Sequence, residues 1–161
     1  MNFGFDTMGF QLAVVSDIHG NRWALETVIE DIKKRQIGHI VNLGDSLYGP
    51  LDPGGTVNIL LENNIPTVSG NEDRLIWEAY SNQDISPTLD YVRMNLTPAH
   101  LAWLKSLELT RTAYQFFFLC HGTPCSDTEY LLKKVSRTGV VLRDKKSIMD
   151  KMASVEQPIV L

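Results

Sequence analysis

The residues best equipped for chemistry lie in four short polar clusters, each bordered by glycine. Asp17-Ile18-His19-Gly20-Asn21 is the first and Gly44-Asp45 the second. Gly70-Asn71-Glu72-Asp73 and His121-Gly122-Thr123-Pro124 follow. Mixed oxygen and nitrogen donors suit a divalent transition metal better than magnesium or calcium. In an extended segment residues i and i+2 share a side, so Asp17 and His19 can converge on one point. Taken singly, each cluster has a plain structural explanation. His121 reads as a satisfied core histidine, Gly44-Asp45 as a turn, and Gly70-Asn71 as a hairpin or helix cap.

The elements that must position these groups follow from hydrophobic periodicity. A β-rich apolar run predicts a strand over 11–16, ending at Asp17. Asn21 then caps a helix whose Leu25, Val28, Ile29 and Ile32 recur at the 3.6-residue period. A second buried strand over 39–43 runs into Gly44-Asp45. Strand, helix and strand with a short connection make a parallel βαβ unit, whose ligand sites gather beyond the carboxyl ends of the strands. Asp17 and Asp45 occupy equivalent places there.

Further along, a turn-rich loop over 48–55 leads to a helix over 56–63 and a short strand over 66–68, directly before the third cluster. Leu75, Ile76, Ala79 and Tyr80 then have helical spacing. Ser86-Pro87 and Thr97-Pro98 predict helices over 87–95 and 98–107. A strand over 111–120 precedes the fourth cluster. Ser126-x-x-Glu129 reads as a capping box opening a helix with Leu131, Leu132 and Val135. A strand over 140–142, a helix over 144–153 and the start of a strand over 158–161 complete the chain. Residues 1–10 read as a loose lead-in and 11–161 as a single domain.

At 161 residues with a net charge of −4, the chain lacks the global basic surface of a nucleic-acid binder. Lys33-Lys34-Arg35 and Lys133-Lys134 fall where helices are expected and read as solvated faces. Cys120 and Cys125 give no disulfide framework. No run reaches membrane-spanning length, and the N-terminus lacks the pattern of a secretory signal. A cytoplasmic location without membrane or nucleic-acid partners is therefore expected.

Together, Asp17, His19, Asp45, Asn71 and His121 supply five donors at strand ends. Two divalent ions about 3.5–4 Å apart need a bridging carboxylate, and such pairs hydrolyse phosphate esters. The four clusters, in order and spacing, resemble the successive motifs of the calcineurin-like metallophosphoesterases, and above all their small bacterial and archaeal branch. There, Asp-x-His-Gly-Asn is followed by a Gly-Asp…Tyr-Gly-Pro loop, as in 44–50.

The resemblance implies an α/β four-layer sandwich of two mixed sheets flanked by helices. It implies that Asp17 and His19 bind the first metal, that Asp45 bridges, and that Asn71 and His121 bind the second. Manganese, iron, zinc or nickel suits those donors, with manganese favoured. A metal-bridging hydroxide would attack phosphorus in line, which makes Asp45, Asn71 and His121 catalytic as well as metal-binding. The substrate class implied is a phosphate-ester small molecule or nucleotide.

Two departures from the family pattern stand out. Many members carry histidine where this chain has Glu72, and that histidine helps protonate the leaving group. A glutamate beside two cations should have a lowered pKa and act as a poor acid, which favours phosphodiesters and good leaving groups. The family's closing Gly-His-x-His motif is also missing before Leu161, so the fold is expected to be C-terminally truncated, with weak metal loading and an unfinished sheet edge through which copies associate. The alternative reading is a catalytically weak or inactive protein that keeps the fold as a binding or scaffold module.

Overall fold

The computed structural model describes residues 9–78 and 86–161. Ala79, Tyr80 and residues 1–8 of the expected lead-in lie outside them. Strand β1 (Leu12–Val15), helix α1 (Arg22–Lys34) and strand β2 (His39–Asn42) form the expected parallel unit, with Leu12 opposite His39 and Val15 opposite Asn42. Asn21 caps α1 by accepting the Ala24 N–H at 3.1 Å. The apolar stripe then buries Leu25, Ile29 and Ile32. The third strand shrinks to one bridge between Asn42 and Thr67. Its hydrogen bonds, Asn42 N–H to Pro66 at 2.9 Å and Val68 N–H to Asn42 at 3.1 Å, still place the Gly70 cluster beside the Asp45 loop. Among the described residues, β1 pairs on one side only.

Helix α2 (Pro53–Glu62) starts earlier than the turn-like Asp52-Pro53-Gly54-Gly55 suggests. Asp52 accepts the Gly55 N–H at 2.8 Å, and proline takes the first helical position, where its missing N–H costs nothing. Helices α3 (Asn71–Glu78), α4 (Pro87–Met94) and α5 (Pro98–Lys105) follow, the last two capped by Ser86 and Thr97 as expected. They close around Leu47, Val57, Ile76, Val92 and Leu104. A fully buried side chain of this kind stabilises by about 1.5–3 kcal/mol.

The single strand expected over 111–120 is instead a hairpin, β3 (Thr110–Ala113) and β4 (Phe117–Cys120). Its turn holds Tyr114 and Gln115 at φ 49° and 67°, the left-handed pair that hairpin twist requires. Neither residue is a usual signal for it. Tyr114 is anchored elsewhere, its hydroxyl on the Ile40 carbonyl at 3.3 Å and its ring 4.6 Å from that of His39.

A second correction concerns Ser126. Its hydroxyl accepts the Thr128 N–H at 3.3 Å, two residues on, and the Glu129 carboxylate is taken by Arg143 at 2.9 Å and Lys151 at 2.7 Å. With both halves of the capping box engaged, no helix starts. The β-branched residues that follow instead form a hairpin, β5 (Lys133–Ser136) and β6 (Gly139–Leu142), so Lys133-Lys134 lie on a strand. Helix α6 (Lys145–Lys151), capped by Asp144, and strand β7 (Ile159–Val160) complete the chain, with β7 parallel to β4.

The result is the mixed α/β architecture expected. Val41 and Val68 of the first sheet pack against Ala113, Phe117 and Leu119 of the second. On the other face of the first sheet, Leu25, Ile29 and Leu60 from α1 and α2 cover Ile40. The carboxyl ends of β1, β2 and β4 meet at one rim. No described helix is long and apolar enough to cross a membrane.

Candidate metal centre

Beyond the sheet, the loops after β1 and β2 remain tied backbone to backbone. Asp17 N–H reaches Gly44 at 3.0 Å, His19 N–H reaches Asp45 at 3.0 Å, and Gly20 N–H reaches Ser46 at 2.9 Å. Asp17, His19 and Asp45 all take left-handed backbone, at φ 54°, 50° and 52°. Asp17 and His19 therefore converge through a coiled segment, where an extended one was expected. Left-handed backbone outside glycine costs on the order of 1 kcal/mol per residue and gathers at functional sites.

The third loop fits against these two only because it carries glycine. A Cβ on Gly70 would overlap the Asp45 carboxylate, and one on Gly44 would lie 2.5 Å from the Gly70 nitrogen. Asp73, with no exposed surface, locks the arrangement. Its carboxylate accepts the N–H groups of Ser46 at 2.9 Å, Leu47 at 3.3 Å and Gly70 at 3.1 Å. Burial pushes its carboxyl up to about 6, against the pull of those three donors. Sequence alone assigns Asp73 no task, because Ser46 and Leu47 lie 27 and 26 positions away.

One donor atom from each of Asp17, His19 and Asp45 lies within 4.8 Å of the other two, a spacing that can hold a metal ion. His121 Nε2 is 3.4 Å from Asp45 Oδ2, and Asn71 lines the same cleft with Asp17, Asp45 and His121. The two histidines are mounted alike. His121 Nδ1 donates to the Leu43 carbonyl at 2.9 Å, and His19 Nδ1 lies 3.1 Å from the Tyr48 carbonyl. His19 Nε2 is 3.8 Å from Asp17 Oδ1. In both rings Nδ1 faces a backbone carbonyl, joined at His19 by the Glu72 carboxyl at 3.0 Å, and Nε2 faces a carboxylate, the orientation by which outer partners fix ligating histidines. The donor set and its mounting fit a divalent ion. All five expected donors thus come to one rim.

The charges are strongly coupled. Burial acts to raise the Asp45 carboxyl, but the His121 ring, the Glu72 N–H and the His19 ring outweigh it and leave it below its ordinary value. Asp45 in turn holds His121 up to about 9. A raised histidine pKa contributes stability that is fully present below its unfolded value and is lost as pH rises through the folded one. In chelator, the melting temperature should therefore fall as pH rises from 6.5 through about 9, and His121→Ala should flatten that fall. Thermal melts across this window check it, and a profile that rises instead contradicts it.

Glu72 departs from expectation. Burial, and then the Asp45 carboxylate, raise its carboxyl above the ordinary value, because the charges facing it in the chain itself include carboxylates. It also lies 3.0 Å from His19 Nδ1, the nitrogen that faces the Tyr48 carbonyl. Two acidic residues on the rim carry no site reading in sequence, where Glu129 reads only as part of a helix cap. Asp127 binds Arg74 of α3 at 2.7 and 3.3 Å. Glu129 joins Arg143 and Lys151. Both line the cleft that holds Asn71 and His121, and both tie the 121–130 segment to its surroundings.

Comparison with known proteins agrees with this geometry. Residues 10–151 match the calcineurin-like phosphoesterase superfamily domain. A crystal structure of a metallophosphoesterase from Sphaerobacter thermophilus superposes with a TM-score of 0.63 at 28% identity, over 76% of this chain and 51% of the other. A candidate diadenosine tetraphosphatase, 20% identical, shares the fold with a TM-score of 0.60, over 88% of this chain and 68% of its own. An uncharacterized protein of Methanocaldococcus jannaschii is 42% identical over 62 residues, 38% of this chain and 26% of that protein. The chain thus spans about half of the Sphaerobacter structure and a quarter of the archaeal relative. With its five donors gathered at the strand ends of this fold, the chain belongs to the calcineurin-like phosphoesterase superfamily.

Proposed function

We propose that the chain forms the core of a metal-dependent phosphoesterase that acts on phosphodiesters and on phosphate esters with good leaving groups. The observation that carries this reading is the matched mounting of His19 and His121, each with Nδ1 on a backbone carbonyl and Nε2 on a carboxylate of the same cluster. Asp17 and His19 would hold one ion and Asn71 and His121 a second, with Asp45 between them. Manganese is the favoured ion. Divalent ions at such a site supply Lewis-acid charge and lower the pKa of water.

The chain's own residues do the rest. Asp73 fixes the loop carrying Asp45, and the Leu43 and Tyr48 carbonyls fix the two rings. The Glu72 carboxyl, 3.0 Å from His19 Nδ1, is engaged with a ligand ring and is not placed to protonate a departing alkoxide. That engagement favours esters whose leaving groups need no proton.

The test is hydrolysis of bis(4-nitrophenyl) phosphate, 4-nitrophenyl phosphate and an alkyl monoester in manganese, with and without chelator. Chelator-sensitive turnover of the two aryl esters that far exceeds turnover of the alkyl ester is expected. Comparable turnover of aryl and alkyl monoesters contradicts the reading.

A second reading, a binding module on the same fold, is favoured by the β5–β6 hairpin. By register Val135, Val140 and Leu142 share one face, and all three are more than half exposed. Absence of hydrolysis together with tight binding of a partner protein that substitution of Val140 by lysine abolishes would favour it.

A further inference from the structure

Beside the cluster lies an open recess of about 500 Å³, reached across Asp17 and His19 and walled by Tyr48, Pro50, Leu51, Thr88 and Glu72. Its volume falls in the range of small-molecule sites. Its walls are well held. The Tyr48 hydroxyl lies 3.0 Å from Ser86 Oγ at the cap of α4, and the Tyr91 hydroxyl donates to the Leu51 carbonyl at 2.7 Å. A phenol ring, a proline and a leucine present apolar surface to whatever enters.

The wall chemistry excludes one class of ligand. No lysine or arginine lines the recess among the described residues, and residues 79–85, which precede α4 in sequence, contain neither. Arg22, the cation nearest in sequence to Asn21 on the recess wall, is held by Glu26 at 2.8 Å and Asp52 at 3.3 Å. Away from the cluster, the ionisable wall groups are Glu72 and the Tyr48 phenol, neither of them a cation. A second phosphate on the substrate would find no partner here and would face a carboxyl group. Desolvating an anion without a counter-charge is costly.

We propose that this recess holds the organic part of the ester and selects an uncharged aromatic group over a polyphosphate chain. The inference rests on the proposed function for its reaction, but the recess itself can be examined without turnover. It also separates this chain from the candidate diadenosine tetraphosphatase, whose likeness is one of fold.

The experiment is an amide NMR titration of the metal-free full chain with 2-naphthol and, separately, with inorganic pyrophosphate. Saturable shifts at Tyr48, Gly49 and Leu51 are expected with 2-naphthol and not with pyrophosphate. Leu51→Lys places one cation on an exposed wall position and should bring out the saturable pyrophosphate shifts that the wild type lacks. Thr88→Lys serves as a second variant at the opposite wall. Pyrophosphate shifts at these amides in the wild type, or no shifts with 2-naphthol, would overturn the proposal. A chain that passes this titration yet hydrolyses no ester keeps its recess and loses the phosphoesterase reading. A chain that hydrolyses aryl esters in manganese but fails the titration loses only the recess.

Discussion

Asp45→Ala should abolish two-ion binding and lower manganese-dependent hydrolysis of an aryl phosphodiester by more than about 100-fold, the upper end of what loss of an outer partner alone costs. Asp45 lies among the other groups of the cleft. It shares the cluster with Asp17 and His19, faces His121 Nε2 at 3.4 Å, and accepts the Glu72 N–H at 2.9 Å. Its removal frees His121 from the group that raises it and leaves two donor sets with nothing between them. Calorimetric titration with manganese, run beside the kinetic assay, separates loss of ion binding from loss of turnover. Unchanged activity in the variant would reject the proposed centre, because Asp45 is the carboxylate proposed to serve both ions.

Asp73→Ala should be the most damaging change to stability among the residues around the site. Alanine leaves the N–H groups of Ser46, Leu47 and Gly70 without their acceptor in a place that water does not reach. At about 1 kcal/mol or more for each orphaned donor, the loss is about 3 kcal/mol. The pH dependence has a definite sign. Because the folded carboxyl is raised to about 6, its contribution is fully present below its unfolded value and is lost as pH rises through 6. The variant should therefore differ most from wild type near pH 5 and less near pH 7.5. Urea unfolding at the two values measures this, and an equal or larger cost at the higher pH would contradict it. Asp73→Asn keeps one acceptor and should fall between the two.

Much of this centre was legible in sequence because its donors are placed by strand ends. An apolar run that stops at a glycine-bordered Asp or His states both the element and the rim, so Asp17, His19, Asp45, Asn71 and His121 could be gathered before any coordinates. What stayed hidden depends on contacts between distant segments. The left-handed backbone at Asp17, His19 and Asp45 is only faintly marked in residue type, Asp and His being among the non-glycine residues that accept it more readily. The turn at Tyr114-Gln115 lacks glycine because a hydrogen bond to Ile40 and a tilted ring contact with His39 hold it. Ser126 and Glu129 have the spacing of a helix start, but tertiary partners claim both side chains. Asp73 could be seen as a first-turn acid of α3, whereas its grip on Ser46 and Leu47 required the fold. Glu72 was read for the charge of absent cations, and its direct partner, the His19 ring, lies 53 positions earlier in the chain.

Three of the five proposed donors sit where glycine would fold more comfortably. Selection for heat resistance and selection for the reaction therefore pull against each other at positions 17, 19 and 45. A laboratory lineage bred only for ruggedness would drift toward glycine there and surrender its chemistry while its fold improved. Directed evolution of this scaffold should hold those three codons constant and look for compensating gains in the helices, far from the rim.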